Sequence, residues 1–225
     1  MTYKCINFER QDGVAHIELN RPDKANAIDP TLSGELYEVA KLCSNDAETR
    51  AVLLSGAGPI FCAGGDLGAF AAFGATLPSA IEDMVQHFHP AIELLSTMNA
   101  PVVTAVTGAA VGGGLSLVLA SSFVVATSDA RFSMGYTGAG LTPDGGATYY
   151  LPRILGLRRA EEMMVTNRQL SATEALDWGI VNQVVETSEL MEKAQAMAAR
   201  LAKGPTAAFG GVRRMLLQSS DNDLH

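Results

Sequence analysis

Two glycine-rich loops in the middle of the chain carry the residue types best suited to stabilising a negatively charged oxygen. The first runs Gly56-Ala-Gly-Pro-Ile-Phe-Cys-Ala-Gly-Gly-Asp66, and the second runs Gly108-Ala-Ala-Val-Gly-Gly-Gly114. Glycine lets a ligand approach the backbone closely, and the N-terminus of a helix presents free N–H groups. Two such N–H groups aimed at one point would form an oxyanion hole. The alternative is that both loops are only tight turns, in which glycine is equally at home.

One aspartate and one histidine outside these loops could move protons. Asp144 stands in Thr142-Pro-Asp-Gly-Gly146, where it is either a helix N-cap or a carboxylate base or nucleophile. A helix N-terminus beside it would help to keep that carboxylate ionised. His89 follows Phe88 at the edge of an apolar helical stripe, where a histidine is either structural or part of a pocket.

Alternating strands and helices are predicted to position these loops. Strands at 3–10 and 14–19 are joined by the turn signal Asp12-Gly13, and a helix follows with Asp29 as its N-cap and Pro30 in its first turn. The further predicted elements are strands at 51–55, 102–106, 123–127 and 181–185, and helices at 78–98, 114–121, 144–156, 171–179, 188–203 and 205–218. Because each glycine loop follows a buried strand, the order predicts an α/β fold built from a repeated unit that winds.

Composition excludes several classes of protein. The 225 residues are 48% hydrophobic and carry a formal net charge of −8, which argues against disorder and against a nucleic-acid-binding groove. The uncharged stretch 94–128 is interrupted by Pro101 and by glycines, so it predicts a buried strand and helix rather than a membrane span. Three cysteines without a C-x-x-C motif indicate neither a disulfide framework nor a metal site. Dinucleotide-binding, P-loop and serine-hydrolase motifs do not occur.

Four segments, in order, resemble the enoyl-CoA hydratase/isomerase (crotonase) superfamily. They are Asn20-Arg-Pro-Asp-Lys-Ala-Asn-Ala27, Ile60-Phe-Cys-Ala-Gly-Gly-Asp-Leu67, Pro101-Val-Val-Thr-Ala-Val-Thr-Gly-Ala-Ala-Val-Gly-Gly-Gly114 and Leu141-Thr-Pro-Asp-Gly-Gly-Ala147. The resemblance implies a spiral of strand-strand-helix units with C-terminal helices, a CoA thioester substrate and an oligomer built from trimers. It also implies that the backbone N–H groups of Gly65 and Gly113 are the oxyanion donors.

The departures from the family pattern narrow the implied activity. Hydratases of this family use two glutamates, and the matching positions here are Ser116 and Tyr136. Neither side chain is a carboxylate base, so the resemblance implies isomerisation rather than hydration. Asp144 matches the acid of epoxyphenylacetyl-CoA isomerase-like members, and we expect it to act as the acid/base of an acyl-CoA isomerase, with His89 in or near the pocket.

Two other functions remain open. Asp144 also matches the nucleophile of 4-chlorobenzoyl-CoA dehalogenase-like members, in which His89 would activate water and Tyr136 would pack against an aromatic substrate. The third possibility is an inactive acyl-CoA-binding subunit. Under any of them, the resemblance assigns the substrate pocket to Ala63, Tyr136 and Ser116, and the nucleotide end of CoA to Arg21 and Lys24.

The same reasoning gives the remaining expectations. A spiral core is predicted over 1–187, and 188–225 is predicted to be the start of a helical region that is truncated relative to the family. We expect no metal and no cofactor beyond the CoA carried by the substrate. The expected partner is an acyl-CoA thioester, with no nucleic acid and no membrane. We also expect a homotrimer or dimer of trimers, and a cytoplasmic location, because the N-terminus lacks the apolar core of a signal peptide.

Overall fold

The computed structural model describes residues 2–220, which form two β-sheets surrounded by helices. The strands are β1 (Ile6–Gln11), β2 (Val14–Leu19), β3 (Ala51–Gly56), β4 (Val102–Val106), β5 (Ala109–Val111), β6 (Phe123–Thr127), β7 (Arg131–Ser133), β8 (Leu170–Ser171) and β9 (Gln183–Val185). The helices are α1 (Pro30–Asn45), α2 (Leu67–Phe73), α3 (Leu77–Thr97), α4 (Gly113–Leu119), α5 (Ala147–Leu155), α6 (Leu157–Thr166), α7 (Ala172–Asp177), α8 (Leu190–Ala202) and α9 (Thr206–Gln218). Residues 221–225, the end of the predicted 188–225 region, lie outside the described residues.

The larger sheet has six strands in the order β1-β2-β3-β4-β6-β9. All neighbours in it pair in parallel except β1 and β2, which form an antiparallel hairpin. Asp12 and Gly13 both have positive φ, 51° and 80°, as the tight hairpin turn requires. The smaller sheet, in the order β5-β7-β8, stands beside the larger one. The predicted α/β architecture is therefore confirmed.

Helix caps read from the sequence are present where they were predicted. The Asp29 carboxylate accepts a hydrogen bond from the Leu32 N–H at 2.8 Å and so caps α1. Ser171 and Glu174 form the predicted capping box at the start of α7. Such caps join residues three positions apart, which is why the sequence alone can reveal them.

Helix α5 begins differently from the prediction. Its first residue is Ala147, its N-cap is Gly146, and no side chain caps it. The prediction of a helix starting at Asp144 was therefore wrong by three residues, and the Asp144 side chain is not used as a cap. The sequence prediction also missed α2, α6, β5, β7 and β8, all of them short except the ten-residue α6.

Helix α3, which carries His89, is fixed by contacts along its buried side and at its C-terminal end. Its buried side packs against α1. At its C-terminal end the Arg213 guanidinium, on α9, donates to three backbone carbonyls at 2.6–2.9 Å, those of Leu95, Met98 and Ala100. A cation that binds the free carbonyls of a helix end is favoured by the helix dipole. The last helix therefore fixes the end of α3.

None of the helices within residues 2–220 combines the length and apolar character needed to cross a bilayer. The longest, α3, contains charged residues and Pro90.

Gly34 in α1 offers a simple test of the helical packing. A Cβ atom added there would meet no heavy atom within 4 Å, and the backbone φ is not positive. Because glycine loses more backbone entropy on folding than alanine, we expect Gly34→Ala to raise the free energy of unfolding by about 0.5–1 kcal/mol. Urea denaturation would measure this change. An unchanged or lower free energy of unfolding would contradict the open surroundings that the structure gives Gly34.

Candidate active site

The two glycine loops lie side by side because backbone hydrogen bonds join them. Phe61 N–H donates to the Thr107 carbonyl at 2.8 Å, and Cys62 N–H donates to the Ala109 carbonyl at 3.1 Å. In return, Val111 N–H donates to the Cys62 carbonyl at 2.9 Å. The first loop therefore runs parallel to β5, and this pairing brings residues 64–65 next to residues 112–114.

Glycine is required where the loops touch. Gly64 has φ of +87°, and a Cβ atom there would lie 2.8 Å from the Val111 carbonyl oxygen. A Cβ atom on Gly114 would overlap the carbonyl oxygen of Cys62. Side chains at either position would push the loops apart, so these glycines are more than turn residues.

The N–H groups of Gly65 and Gly113 are not used by the backbone of the described residues. Gly65 forms a parallel bridge with Ile28 in which the hydrogen bonds come from its neighbours, Gly64 O and Asp66 N, at 2.7 and 2.9 Å. The Gly65 N–H therefore points to the opposite side. Gly113 is the first residue of α4, so its N–H has no partner within the helix. Both glycines line one cavity, as an oxyanion hole requires.

That cavity has a volume of about 350 Å³ and is mostly apolar. Asp144 is its one acidic residue among the described residues that line it. Aromatic, aliphatic and thioether side chains form most of the remaining wall: Ile28, Leu67, Phe70, Ile81, Met84, Phe88, Val111, Met134, Tyr136 and Leu141. Such a cavity suits an apolar or aromatic ligand group with one carboxylate beside it.

Both carboxylate oxygens of Asp144 have a partner. The Tyr136 phenol donates to Oδ1 at 2.6 Å, and His89 Nε2 lies 3.3 Å from Oδ2. Ser116 Oγ donates to the Asp144 backbone carbonyl at 3.2 Å. Burial, together with the Asp144 carboxylate, raises the pKa of the Tyr136 phenol, so the phenol keeps its proton and acts as a donor. These contacts fix the carboxylate at the cavity wall.

The Nε2 atom of His89 has two neighbours that need opposite hydrogen-bonding roles from it. Gly145 N–H donates to Nε2 at 3.3 Å, which needs a lone pair on that nitrogen, whereas a hydrogen bond to Asp144 needs a proton there. The tautomer with hydrogen on Nε2 can donate to Asp144, and the tautomer without it can accept from Gly145 N–H. His89 does not line the 350 Å³ cavity but a neighbouring one of about 430 Å³, formed with α5 and α9.

The structure brings most of the predicted site residues together. Gly65, Gly113, Asp144, Tyr136 and Ala63 all line the main cavity. Ser116, predicted as a pocket residue, is instead fully buried behind the Asp144 loop and does not line the cavity.

The two predicted CoA-phosphate ligands differ in their surroundings. Lys24 is exposed, but Arg21 is not: its side chain is 16% exposed and its guanidinium binds the carboxylates of Asp29 and Asp66 at 3.0 and 3.1 Å. The structure therefore shows the Arg21 guanidinium largely enclosed and bound to two carboxylates of this chain, and its predicted contact with the phosphates of CoA stays a prediction.

The apolar wall of the cavity was missed by sequence reasoning. Phe88 was interpreted as part of an apolar helical stripe, yet it lines the cavity together with Ile81 and Met84. The helical spacing that revealed the stripe could not distinguish a core face from a cavity face, because both are apolar. Among the described residues there is no group of three or more acidic, histidine or cysteine side chains that could hold a metal ion.

The chain is similar to several known proteins. The family model described as enoyl-CoA hydratase/isomerase matches residues 9–225. A probable enoyl-CoA hydratase from Rhodobacter capsulatus is 36% identical over 224 residues, covering 100% of this chain and 85% of the relative. A 4-chlorobenzoyl coenzyme A dehalogenase from Arthrobacter is 36% identical over 220 residues, covering 97% of this chain and 80% of the relative.

Two further comparisons bear on the chemistry and on the fold. A 1,2-epoxyphenylacetyl-CoA isomerase from Escherichia coli is 35% identical over 215 residues, covering 95% of this chain and 82% of the relative. The crystal structure of an enoyl-CoA hydratase/isomerase from Mycobacterium abscessus superposes with a TM-score of 0.92 at 36% identity, covering 97% of this chain and 85% of that one.

Proposed function

The chain belongs to the enoyl-CoA hydratase/isomerase family, with the fold of that family, and on this premise we propose that it is an acyl-CoA isomerase. The observation that carries the proposal is the cavity in which Gly65 and Gly113 present free N–H groups while Asp144 is the one acidic residue of its described wall. Hydration as the hydratases of this family perform it needs two carboxylates, and the described wall of this cavity holds one.

The proposed reaction begins with binding of the thioester oxygen. The N–H groups of Gly65 and Gly113 would donate to that oxygen and stabilise the negative charge that develops when a neighbouring carbon loses a proton. The α4 N-terminus adds its positive end at the same place. Asp144 takes the proton from one carbon and returns it to another, so the double bond moves while the atoms of the substrate are conserved.

The acyl group proposed for this cavity is an unsaturated or aromatic-derived one. Support comes from the Phe88 and Tyr136 rings and from the thioethers of Met84 and Met134, all of which line the wall. Aromatic rings and thioethers pack favourably on a flat, polarisable ring. The name of the Escherichia coli relative, an epoxyphenylacetyl-CoA isomerase, is consistent with such a substrate.

Mass spectrometry of a panel of enoyl- and aryl-CoA esters, incubated with the protein in D2O, would test the proposal. An isomerase gives a product with the atoms of its substrate, and part of it carries deuterium from the solvent. A product heavier by one water would instead indicate a hydratase, and binding without turnover of any ester would indicate an inactive acyl-CoA-binding subunit. Either result would contradict the proposal.

A second function is favoured by the contact between His89 and Asp144. If Asp144 attacked a ring carbon, water in the cavity beside His89 could reach the resulting ester from the side away from the substrate. The product would be a hydroxylated aryl-CoA and a released halide. Chloride release from 4-chlorobenzoyl-CoA would identify this reaction, and its absence while other esters isomerise would exclude it.

The Tyr136 phenol offers a prediction about Asp144. Tyr136→Phe removes the 2.6 Å hydrogen bond to Oδ1 while keeping the ring, so the carboxylate loses one of the contacts that orient it. We expect kcat to fall about tenfold, with KM changing less than about threefold. Steady-state kinetics on the best ester of the panel would measure both constants. Unchanged kcat would mean that the phenol does not position the carboxylate.

A further inference from the structure

Arg21 joins the starts of two helices through a partly buried ion cluster. Its Nη2 lies 3.0 Å from Asp29 Oδ2 and 3.1 Å from Asp66 Oδ2, and its Nη1 donates to the Ala27 carbonyl. All three charged side chains are at most 18% exposed. A planar guanidinium can hold several acceptors at fixed angles, which a lysine ammonium cannot.

Each carboxylate in this cluster is also a helix N-cap. Asp29 Oδ1 accepts from Leu32 N–H at 2.8 Å, and Asp66 Oδ1 accepts from Ala69 N–H at 2.9 Å. Each aspartate therefore uses one oxygen for its helix and the other for Arg21. Burial alone would raise the pKa of Asp66, but the Ala69 N–H and Arg21 together lower it, so the carboxylate remains ionised.

The atoms that Arg21 binds flank the bridge that orients Gly65. Ile28 N–H donates to Gly64 O at 2.7 Å, and Asp66 N–H donates to Ile28 O at 2.9 Å. Ala27 and Asp29 stand on either side of Ile28, and Asp66 directly follows Gly65. The guanidinium thus holds both strands of the bridge at the point where it forms, and so limits rotation of the peptide that carries the Gly65 N–H.

Ile28 extends this control to the second oxyanion donor. A Cβ atom on Gly113 would lie 2.8 Å from Ile28 Cδ1, so the Ile28 side chain packs directly on Gly113 while its backbone pairs beside Gly65. A shift of residues 27–29 would therefore disturb both N–H groups at once.

We propose that Arg21 is a positioning residue that holds the Gly65 N–H in the orientation that polarises the thioester carbonyl. Through Ile28, which packs on Gly113, it also holds the Gly113 N–H in place. It acts from inside the protein through Asp29 and Asp66, and it does not bind the phosphates of CoA. The inference rests on the proposed oxyanion hole, and it adds the element that aligns it.

Infrared difference spectroscopy of a bound thioester tests the inference without relying on turnover. Benzoyl-CoA labelled with 13C at its carbonyl would be bound to the wild type, to Arg21→Met and to Arg21→Lys. We expect the bound carbonyl stretch of the wild type to move to lower frequency, as polarisation by two donors requires. Arg21→Met should lose most of this shift. Arg21→Lys should retain part of it, because lysine keeps the positive charge but lacks the planar guanidinium that holds several acceptors.

A second thioester separates positioning from phosphate binding. S-benzoylpantetheine presents the same carbonyl without the nucleotide, so a positioning role predicts the same loss of shift with either thioester. A phosphate-binding role predicts weaker binding of benzoyl-CoA alone and an unchanged shift in both, which would overturn the inference. No carbonyl shift in the wild type would instead refute the oxyanion hole, so the two failures are distinguishable.

Two more variants control for folding. Arg10→Met breaks an ion pair of similar length, 2.8 Å to Asp46, that lies on the exposed side of the protein, and it should leave the carbonyl shift unchanged. Asp66→Asn keeps an oxygen that can accept from Ala69 N–H but removes the charge that Arg21 binds. We expect a partial loss of shift in Asp66→Asn even if Arg21→Met does not fold, and a full wild-type shift would contradict the inference.

Discussion

Asp144→Asn is expected to lower turnover more than any other substitution while leaving the cavity intact. The substitution keeps the shape of the side chain, and the amide oxygen can still accept from the Tyr136 phenol, but it removes the base that takes the proton. Because general acid–base catalysis contributes roughly 10²–10⁴-fold, we expect kcat to fall by that factor while KM changes less than about threefold. Steady-state kinetics and the rate of deuterium uptake from D2O would measure the loss.

An exposed acid provides the matched control for this variant. Asp129 is exposed on the turn before β7, and Asp129→Asn removes the same charge far from the described cavity wall. It should retain wild-type rates. Retention of more than about a tenth of wild-type kcat in Asp144→Asn would exclude Asp144 as the proton-transfer group.

Gly113→Ala is expected to produce the second largest loss. The added Cβ would lie 2.8 Å from Ile28 Cδ1 and 3.2 Å from Phe88 Cζ, so the first turn of α4 or its neighbours must shift. Alanine keeps the backbone N–H, so the expected loss comes from displacing this donor. Removing one oxyanion donor typically costs about 10²–10³ in kcat, and we expect displacement to lower kcat by up to that range. The measurement is kcat on the same ester, together with the carbonyl stretch of bound benzoyl-CoA.

The structure also provides a rescue for this variant. Ile28→Val removes the Cδ1 atom that the new methyl group would meet, so the double variant should recover a substantial part of the lost kcat. Gly34→Ala adds the same methyl group in α1, where nothing lies within 4 Å, and should leave kcat unchanged. No recovery in the double variant would show that the loss does not arise from this contact.

Sequence reasoning predicted short-range features of the fold better than long-range ones. The Asp12-Gly13 turn, the Asp29 cap and the Ser171–Glu174 capping box were predicted and found, since each involves residues within a few positions of one another. Short elements such as β5 were missed. It is held by pairing with β7, about twenty residues further on, and local composition does not reveal such a partner.

Asp144 shows how a residue that lines the predicted cavity can carry a wrong local interpretation. An aspartate before two glycines is favoured as a helix N-cap, and the sequence therefore predicted a helix from that position. In the structure the side chain instead contacts Tyr136, eight residues away, and His89 on α3. Contacts with distant residues outweighed a local preference that is worth only about 1 kcal/mol.

The sequence by itself determined the α/β class and the family, and it predicted the loop glycines and the aspartate that the structure brings to one cavity, because these depend on residue type and on spacing along the chain. Only the tertiary structure decided that Arg21 binds Asp29 and Asp66 inside the protein, that Phe88 and Met84 line a cavity, and that Ser116 lies behind it. The physical reason is that the direction of an N–H group or a side chain is set by whatever packs against it. Here those partners are as far away in the chain as Arg21 is from Asp66, 45 residues.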